Sequence, residues 1–113
     1  MTQSEILRAN FTISLAAKQA IAKVREEYDA QSPDDPAAVL MVGWGIAIPE
    51  TGPQVENVVI SFYPQSMLND VAHGIQQVSG IDLIYFTIEP YHQRFIGKVL
   101  DYTNDQAFFL RQP

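Results

Sequence analysis

Val39-Leu40-Met41-Val42-Gly43-Trp44-Gly45-Ile46-Ala47-Ile48 carries no charged side chain and hardly a polar atom outside its backbone. It is too short to span a bilayer, which takes about 20 apolar residues in a helix. With Ala37 at its start it reads as a strand covered on both faces. The two glycines around Trp44 mark a bulge or a close approach of another backbone. A ligand or partner chain approaching there would meet the indole. Pro49-Glu50-Thr51-Gly52-Pro53 is a turn by composition. Val55 to Tyr63 follows as a second strand, with Val58, Ile60 and Phe62 on one face and Val59, Ser61 and Tyr63 on the other.

Upstream, Phe11-Thr12-Ile13 is a short first strand, and Ser14 can cap the next element through its hydroxyl. Leu15 to about Tyr28 is a helix, because Ala17, Ile21, Val24 and Tyr28 fall on one face while Lys18, Gln19, Arg25 and Glu26 take the other. Gln31-Ser32-Pro33-Asp34-Asp35-Pro36 is a loop. Downstream, Ser66 is expected to cap a second helix reaching to about Val78, with Leu68, Val71, Ile75 and Val78 as its apolar stripe and Gly80 closing it. Ile81 to Ile88 is strand-like, with Ile84, Phe86 and Ile88 on one face. Glu89-Pro90-Tyr91-His92 begins a turn or short helix, and Phe95 to Tyr102 and Ala107 to Leu110 form a hairpin around Thr103-Asn104-Asp105. The expected fold is α+β, one domain over residues 1–113, with a small mixed sheet of about six strands and two helices.

Composition narrows the function classes. The chain has no cysteine, so thiolate metal clusters, disulfides and thiol redox chemistry are excluded. The formal net charge is −6, and the seven basic residues, Arg8, Lys18, Lys23, Arg25, Arg94, Lys98 and Arg111, form no run. Nucleic acids and anionic membranes are bound through clustered basic residues, so neither is expected as a partner. The N-terminal stretch lacks the basic and apolar regions of a signal peptide, and the expected location is the cytoplasm.

From Gly80 the order is Leu83-Ile84-Tyr85-Phe86, a linker, Gly97-Lys98-Val99-Leu100-Asp101-Tyr102, then Phe108-Phe109-Leu110 and Pro113. Together with Phe11-Thr12-Ile13-Ser14, the alanine-rich helix and Val39-Leu40-Met41-Val42-Gly43, this pattern resembles the HesB/IscA family of A-type iron–sulfur cluster biosynthesis proteins. The resemblance covers most of residues 11–113 and is weakest over 53–79, where this chain carries an extra helix. It implies a HesB-like domain and makes a homodimer an expected assembly. Active members of that family use three cysteines, one after the glycine-rich strand and two in a C-terminal Cys-x-Cys tail. Here the first region reads Gly43-Trp44-Gly45-Ile46 and no position matches a ligand, so no cofactor is expected. Cysteine-less domains of this kind, fused to Nfu-type scaffold proteins, look like docking modules. In the family Asp101 reads as structural.

Candidate chemistry outside that resemblance is sparse. His73 and His92 are the only histidines, and with Asp70 and Glu89 they make a conceivable composite site for a hard or borderline metal, or for a small enzyme. Solvated or locally bonded side chains are the simpler reading of all four. No serine lies in a nucleophile elbow, and Gly43-Trp44-Gly45 is not a phosphate loop. Trp44 and Tyr91 are the interaction candidates, within a wider set of aromatics, Tyr63, Tyr85, Phe95 and Tyr102, that fits either an exposed patch or the core. The expected function is a non-catalytic protein-interaction module.

Overall fold

Phe11–Ile13 form strand β1, with Phe11 and Ile13 turned inward and Thr12 outward, the alternation of a half-buried strand. The computed structural model describes residues 7–47 and 55–113. Ser14 caps helix α1, Leu15–Gln31, its Oγ accepting from the Ala17 N–H at 3.1 Å. Ala17 and Ile21 are buried, and Val24 and Tyr28 pack against the same core. The helix runs on to Gln31 instead of ending near Tyr28, because its last turns have partners. Arg25 Nη2 donates to the Ala37 carbonyl at 3.0 Å, and Asp29 Oδ1 accepts from the Ala37 N–H at 2.7 Å. The end of α1 is thereby clamped to the start of the next strand.

That strand, β2 (Ala37–Ala47), is interior to its sheet. It lies between β3 (Val55–Pro64), antiparallel to it, and β5 (Ile81–Phe86), parallel to it. β4 (Ile75–Val78) completes the sheet in the order β3-β2-β5-β4. A second sheet has the order β1-β6-β7, from β6 (Lys98–Thr103), parallel to β1, and β7 (Ala107–Arg111), antiparallel to β6. Leu40, Val42, Phe62, Leu83 and Tyr85 from the larger sheet meet Phe11, Ile13 and Leu100 from the smaller, with α1 covering them. Ile48 and the expected turn at Pro49–Pro53 lie outside the described residues.

Of the two readings for the β2 glycines, close approach of another backbone holds for Gly43, while Gly45 meets a side chain. A Cβ at Gly43 would stand 2.7 Å from the Phe86 carbonyl oxygen, and one at Gly45 would stand 2.6 Å from Val59 Cγ2. The register irregularity of β2 against β3 falls between Ala37 and Val39, several residues away.

The segment after β3 departs from the expected helix. Gln65–Gly74 is a chain of single helical turns, of which Leu68–Val71 is α2, and Ile75–Val78 is strand β4. Ser66 caps nothing. Its N–H and Oγ both bond the Asp35 carboxylate, at 2.9 and 2.6 Å, and these bonds hold that carboxyl below its usual range. Gly80 ends no helix either. Val78 pairs with Ile81 across a two-residue loop in which Ser79 (φ 51°) and Gly80 (φ 82°) are both left-handed, the geometry of a type I′ hairpin turn. Leu68, Val71, Ile75 and Val78 fit helical spacing by coincidence, and pairing with β5 decides the outcome. β5 itself stops at Phe86, short of Ile88, and Glu89–His92 is the four-residue helix α3. β6 begins at Lys98, leaving Phe95 in the preceding turn as a fully buried plug. Among the described residues there are thus seven strands in two sheets, not about six in one.

Asp101 ties the smaller sheet to α1. Its Oδ1 accepts from Ser14 Oγ at 2.6 Å and from the Tyr102 N–H at 2.8 Å, and its Oδ2 accepts from Arg111 Nε at 2.6 Å. The Ser14 hydroxyl, then the Arg111 guanidinium and the Tyr102 amide, pull its pKa down to about 2 from 3.8. An acid stabilised in this way adds stability above its unfolded pKa and loses it as pH falls through the folded one. Acid unfolding followed by circular dichroism should therefore show a stability loss between about pH 4 and 2 that is flatter in Asp101→Asn. The same variant should lose about 1–2 kcal/mol at neutral pH.

The glycines give a second prediction. Gly43→Ala must move a backbone carbonyl, and an overpacking cost of about 1–3 kcal/mol is expected. Gly45→Ala meets only a side chain, so Val59→Ala should recover most of its cost while leaving that of Gly43→Ala unchanged. A urea-denaturation double-mutant cycle measures both.

Candidate functional site

Phe95 is the centre of an aromatic cluster built by three elements. Its ring lies 5.0 Å from Tyr85 of β5, 5.5 Å from Phe11 of β1 and 5.9 Å from Trp44 of β2. The structure brings the two interaction candidates together, since Trp44 stacks on Tyr91 of α3 at 6.3 Å. Arg94 lies 5.2 Å over the indole and also pairs with Glu56 at 3.3 Å. A cation over an exposed ring adds about 0.5–1 kcal/mol. Trp44 is half-buried and packed against Tyr91, Phe95 and Arg94 of its own chain. The chain segments that come close to its flanking glycines are Phe86 and Val59. Tyr85 and Phe95 are core residues, while Tyr102 packs with Phe108 at 5.0 Å. Two of the four residues in the wider aromatic set are therefore interior, while Tyr63 and Tyr102 are half-buried.

The four residues of the composite metal reading stand apart in kind. Asp70 in α2 and His73 in the next turn are both exposed. Glu89 opens α3, where it accepts from Gln93 Nε2 at 3.1 Å. His92 closes α3, half-buried, with its Nδ1 2.8 Å from the Tyr85 hydroxyl. Among the described residues no group of three or more His, Asp or Glu side chains could hold a metal ion.

The feature that sequence reasoning missed lies at the C-terminal end of β5. Phe86 at the end of β5 and Ile88 just beyond it are 67% and 60% exposed, an unusual state for two neighbouring large apolar side chains. They border a groove of about 540 Å³, within the roughly 300–1,000 Å³ typical of ligand sites. Val71, His73 and Gly74 form its opposite wall. Thr87 stands in the wall too, and its Oγ1 is enclosed with no hydrogen-bond partner among the described residues, as is Trp44 Nε1. An enclosed polar atom left unpaired costs about 1–3 kcal/mol and is rare in folded chains. The signal available in the sequence was the alternation Ile84, Phe86, Ile88. It identifies a face, yet which part of that face is covered depends on where residues 65–74 run. Ile84 is buried beneath Gly74, and the cover ends there.

Burial, and then the Glu89 carboxylate, push the Tyr85 phenol well above its ordinary value of 10.0. The phenol shares a hydrogen bond with His92 Nδ1 and ties α3 to β5. For a phenol held neutral by the fold, stability is complete below the unfolded pKa and falls as pH rises beyond it. Thermal unfolding above pH 10.0 should thus show a steep alkaline decline that Tyr85→Phe flattens. The variant should lose about 1 kcal/mol at neutral pH through the bond to His92.

Among the described residues no helix is long and apolar enough to cross a membrane. No family model, curated protein or solved structure matches this chain.

Proposed function

We propose that this chain is a non-catalytic protein-interaction module on a cysteine-less HesB/IscA-like scaffold, working in the cytoplasm. The scaffold reading rests on the sequence pattern Gly97-Lys98-Val99-Leu100-Asp101-Tyr102 with its surrounding strands. Without cysteine the chain is no thiolate carrier of iron–sulfur clusters. A domain that keeps such a scaffold retains surfaces for docking. The observation that carries the docking reading is the pair Phe86 and Ile88, exposed beside a groove of about 540 Å³. Large apolar side chains around a concave surface are what partner proteins bury. Trp44 and Tyr91 connect to the groove residue Tyr85 through Phe95 and do not line the groove.

Chemical cross-linking of the tagged full chain in lysate, compared with Phe86→Asp and Ile88→Asp, tests the reading. Both side chains are mostly exposed, so the variants should keep the thermal midpoint of the parent. A specific partner should be recovered with the parent and reduced at least about tenfold in both variants. Identical recoveries for parent and variants would overturn the docking reading. Sedimentation of the purified chain distinguishes a foreign partner from a homodimer that buries the same residues.

A further inference from the structure

Behind the rim of Phe86 and Ile88 the groove is a hollow with its own chemistry, and what that chemistry implies goes beyond the docking reading. Four separate stretches of chain line it. Leu7 comes from the residues before β1, Tyr63 from the end of β3, Val71 and His73 from the turns that follow, and residues 84–88 from β5 and its continuation. Ile84 and Tyr85 are buried while Phe86 and Ile88 are exposed, so the lining runs from core residues to surface residues. A concave, mainly apolar site gathered from several elements is the usual form of a small-molecule pocket.

Two other hollows give the contrast. One of about 420 Å³ lies beside α1 and has Lys23 and Glu27 in its lining, and one of about 250 Å³ lies beside β1 and has Lys98. The groove holds about 540 Å³, and none of its ten lining residues is Asp, Glu, Lys or Arg, types that make up 18% of the chain. Arg8, Asp70 and Glu89 adjoin lining residues in sequence, yet none of the three lines the groove. An ionised group drawn into this hollow gives up water and meets no opposite charge, which is a large cost. A neutral apolar group pays no such cost and takes Phe86 and Ile88 out of water.

The lining also limits how polar the occupant is. Four of its side chains carry a polar atom. The Tyr85 hydroxyl is bonded to His92, and Thr87 Oγ1 is enclosed. Tyr63 and His73 remain, each able to give or take a hydrogen bond.

We infer that the groove is a binding site for a neutral, mainly apolar small molecule with one hydrogen-bonding group. Packed as densely as a protein interior, the hollow takes a molecule of about 20 non-hydrogen atoms. Its apolar body lies against Leu7, Val71, Ile84 and Phe86, and its polar group faces Tyr63 or His73.

The probe is N-phenylnaphthylamine, an uncharged aromatic amine close to that size whose fluorescence rises on leaving water. Titration of the full chain into the probe should give a saturable, one-to-one rise. The sulfonated analogue keeps the aromatic frame and adds a charge. In about 1 M salt the Debye length is about 3 Å, so the net charge of the chain is screened and only the site decides. There the sulfonate should bind at least about tenfold more weakly than the neutral probe. Phe86→Asp should weaken the neutral probe at least about tenfold, whereas Lys23→Ala, in the hollow beside α1, should leave it unchanged. Methyl resonances of Leu7, Val71 and Ile84 should shift on binding, and those of Val24, which lines the α1 hollow, should not. No saturable rise, equal affinity for the two probes, indifference to Phe86→Asp, or shifts confined to another hollow would each overturn the ligand site. The docking reading is judged separately, by partner recovery. Recovery that stays sensitive to Phe86→Asp without probe binding removes the ligand site and keeps the docking surface. Saturable probe binding with insensitive recovery does the reverse.

Discussion

The side-chain amide of Gln76 does for residues 7–9 what a neighbouring strand would do. Its Oε1 accepts from the Ala9 N–H and its Nε2 donates to the Leu7 carbonyl, both at 2.8 Å. Ser79 Oγ continues the same line by accepting from the Ile13 N–H at 2.9 Å. One side of β1 has β6 as its partner, and the other is satisfied by side chains from β4 and its turn. At the opposite corner Asn57 Nδ2 donates to the Phe108 carbonyl at 3.0 Å and joins β3 to β7. The two sheets are thus closed around one core without a continuous ladder between them. Buried main-chain groups must be paired somewhere, and an amide side chain supplies donor and acceptor in one residue.

This closure depends on residues 75–78 being a strand. A helix there, as the spacing of Leu68, Val71, Ile75 and Val78 predicts, would present one face of side chains to the core and would not line Gln76 and Ser79 along the edge of β1. The type I′ turn at Ser79-Gly80 fixes the register that puts them there. Four residues are too few for alternation to be recognised, and Ile75-Gln76-Gln77-Val78 shows none. The long-range pairing that decides their state leaves one local trace, the Ser-Gly dipeptide.

Elsewhere local rules and the fold agree. Ser14, the α1 face, the buried run of β2, the alternation of β3 and the terminal hairpin follow from period and turn chemistry. Asp101 could be read as structural from sequence, though its link to Ser14 spans 87 positions and is visible only in three dimensions. The candidate site was less legible. Trp44 and Tyr91 draw attention as amino-acid types, yet they face each other and the Arg94 side chain. Phe86 and Ile88 look like ordinary strand residues in the sequence. What distinguishes them is that the covering turns stop at Gly74, and chain path is not written in the pattern of residues 84–88.

The same stop links the closure of the core to the exposure of Phe86. β4 is long enough to seat Gln76 and Ser79 against β1 and too short to cover the end of β5. Its first residue, Ile75, lies opposite Ile84, and the exposed part of the edge begins at the next position. That edge is not loose. Gly43 lets β2 lie against the Phe86 carbonyl, Tyr85 is anchored in the core and bonded to His92, and the Ile88 carbonyl accepts from both the Tyr91 and His92 amides. A strand held on one side keeps its own dihedrals set whether or not its other side is paired. The shortness of β4 is thus what leaves Tyr85 and Phe86 without a strand on that side among the described residues.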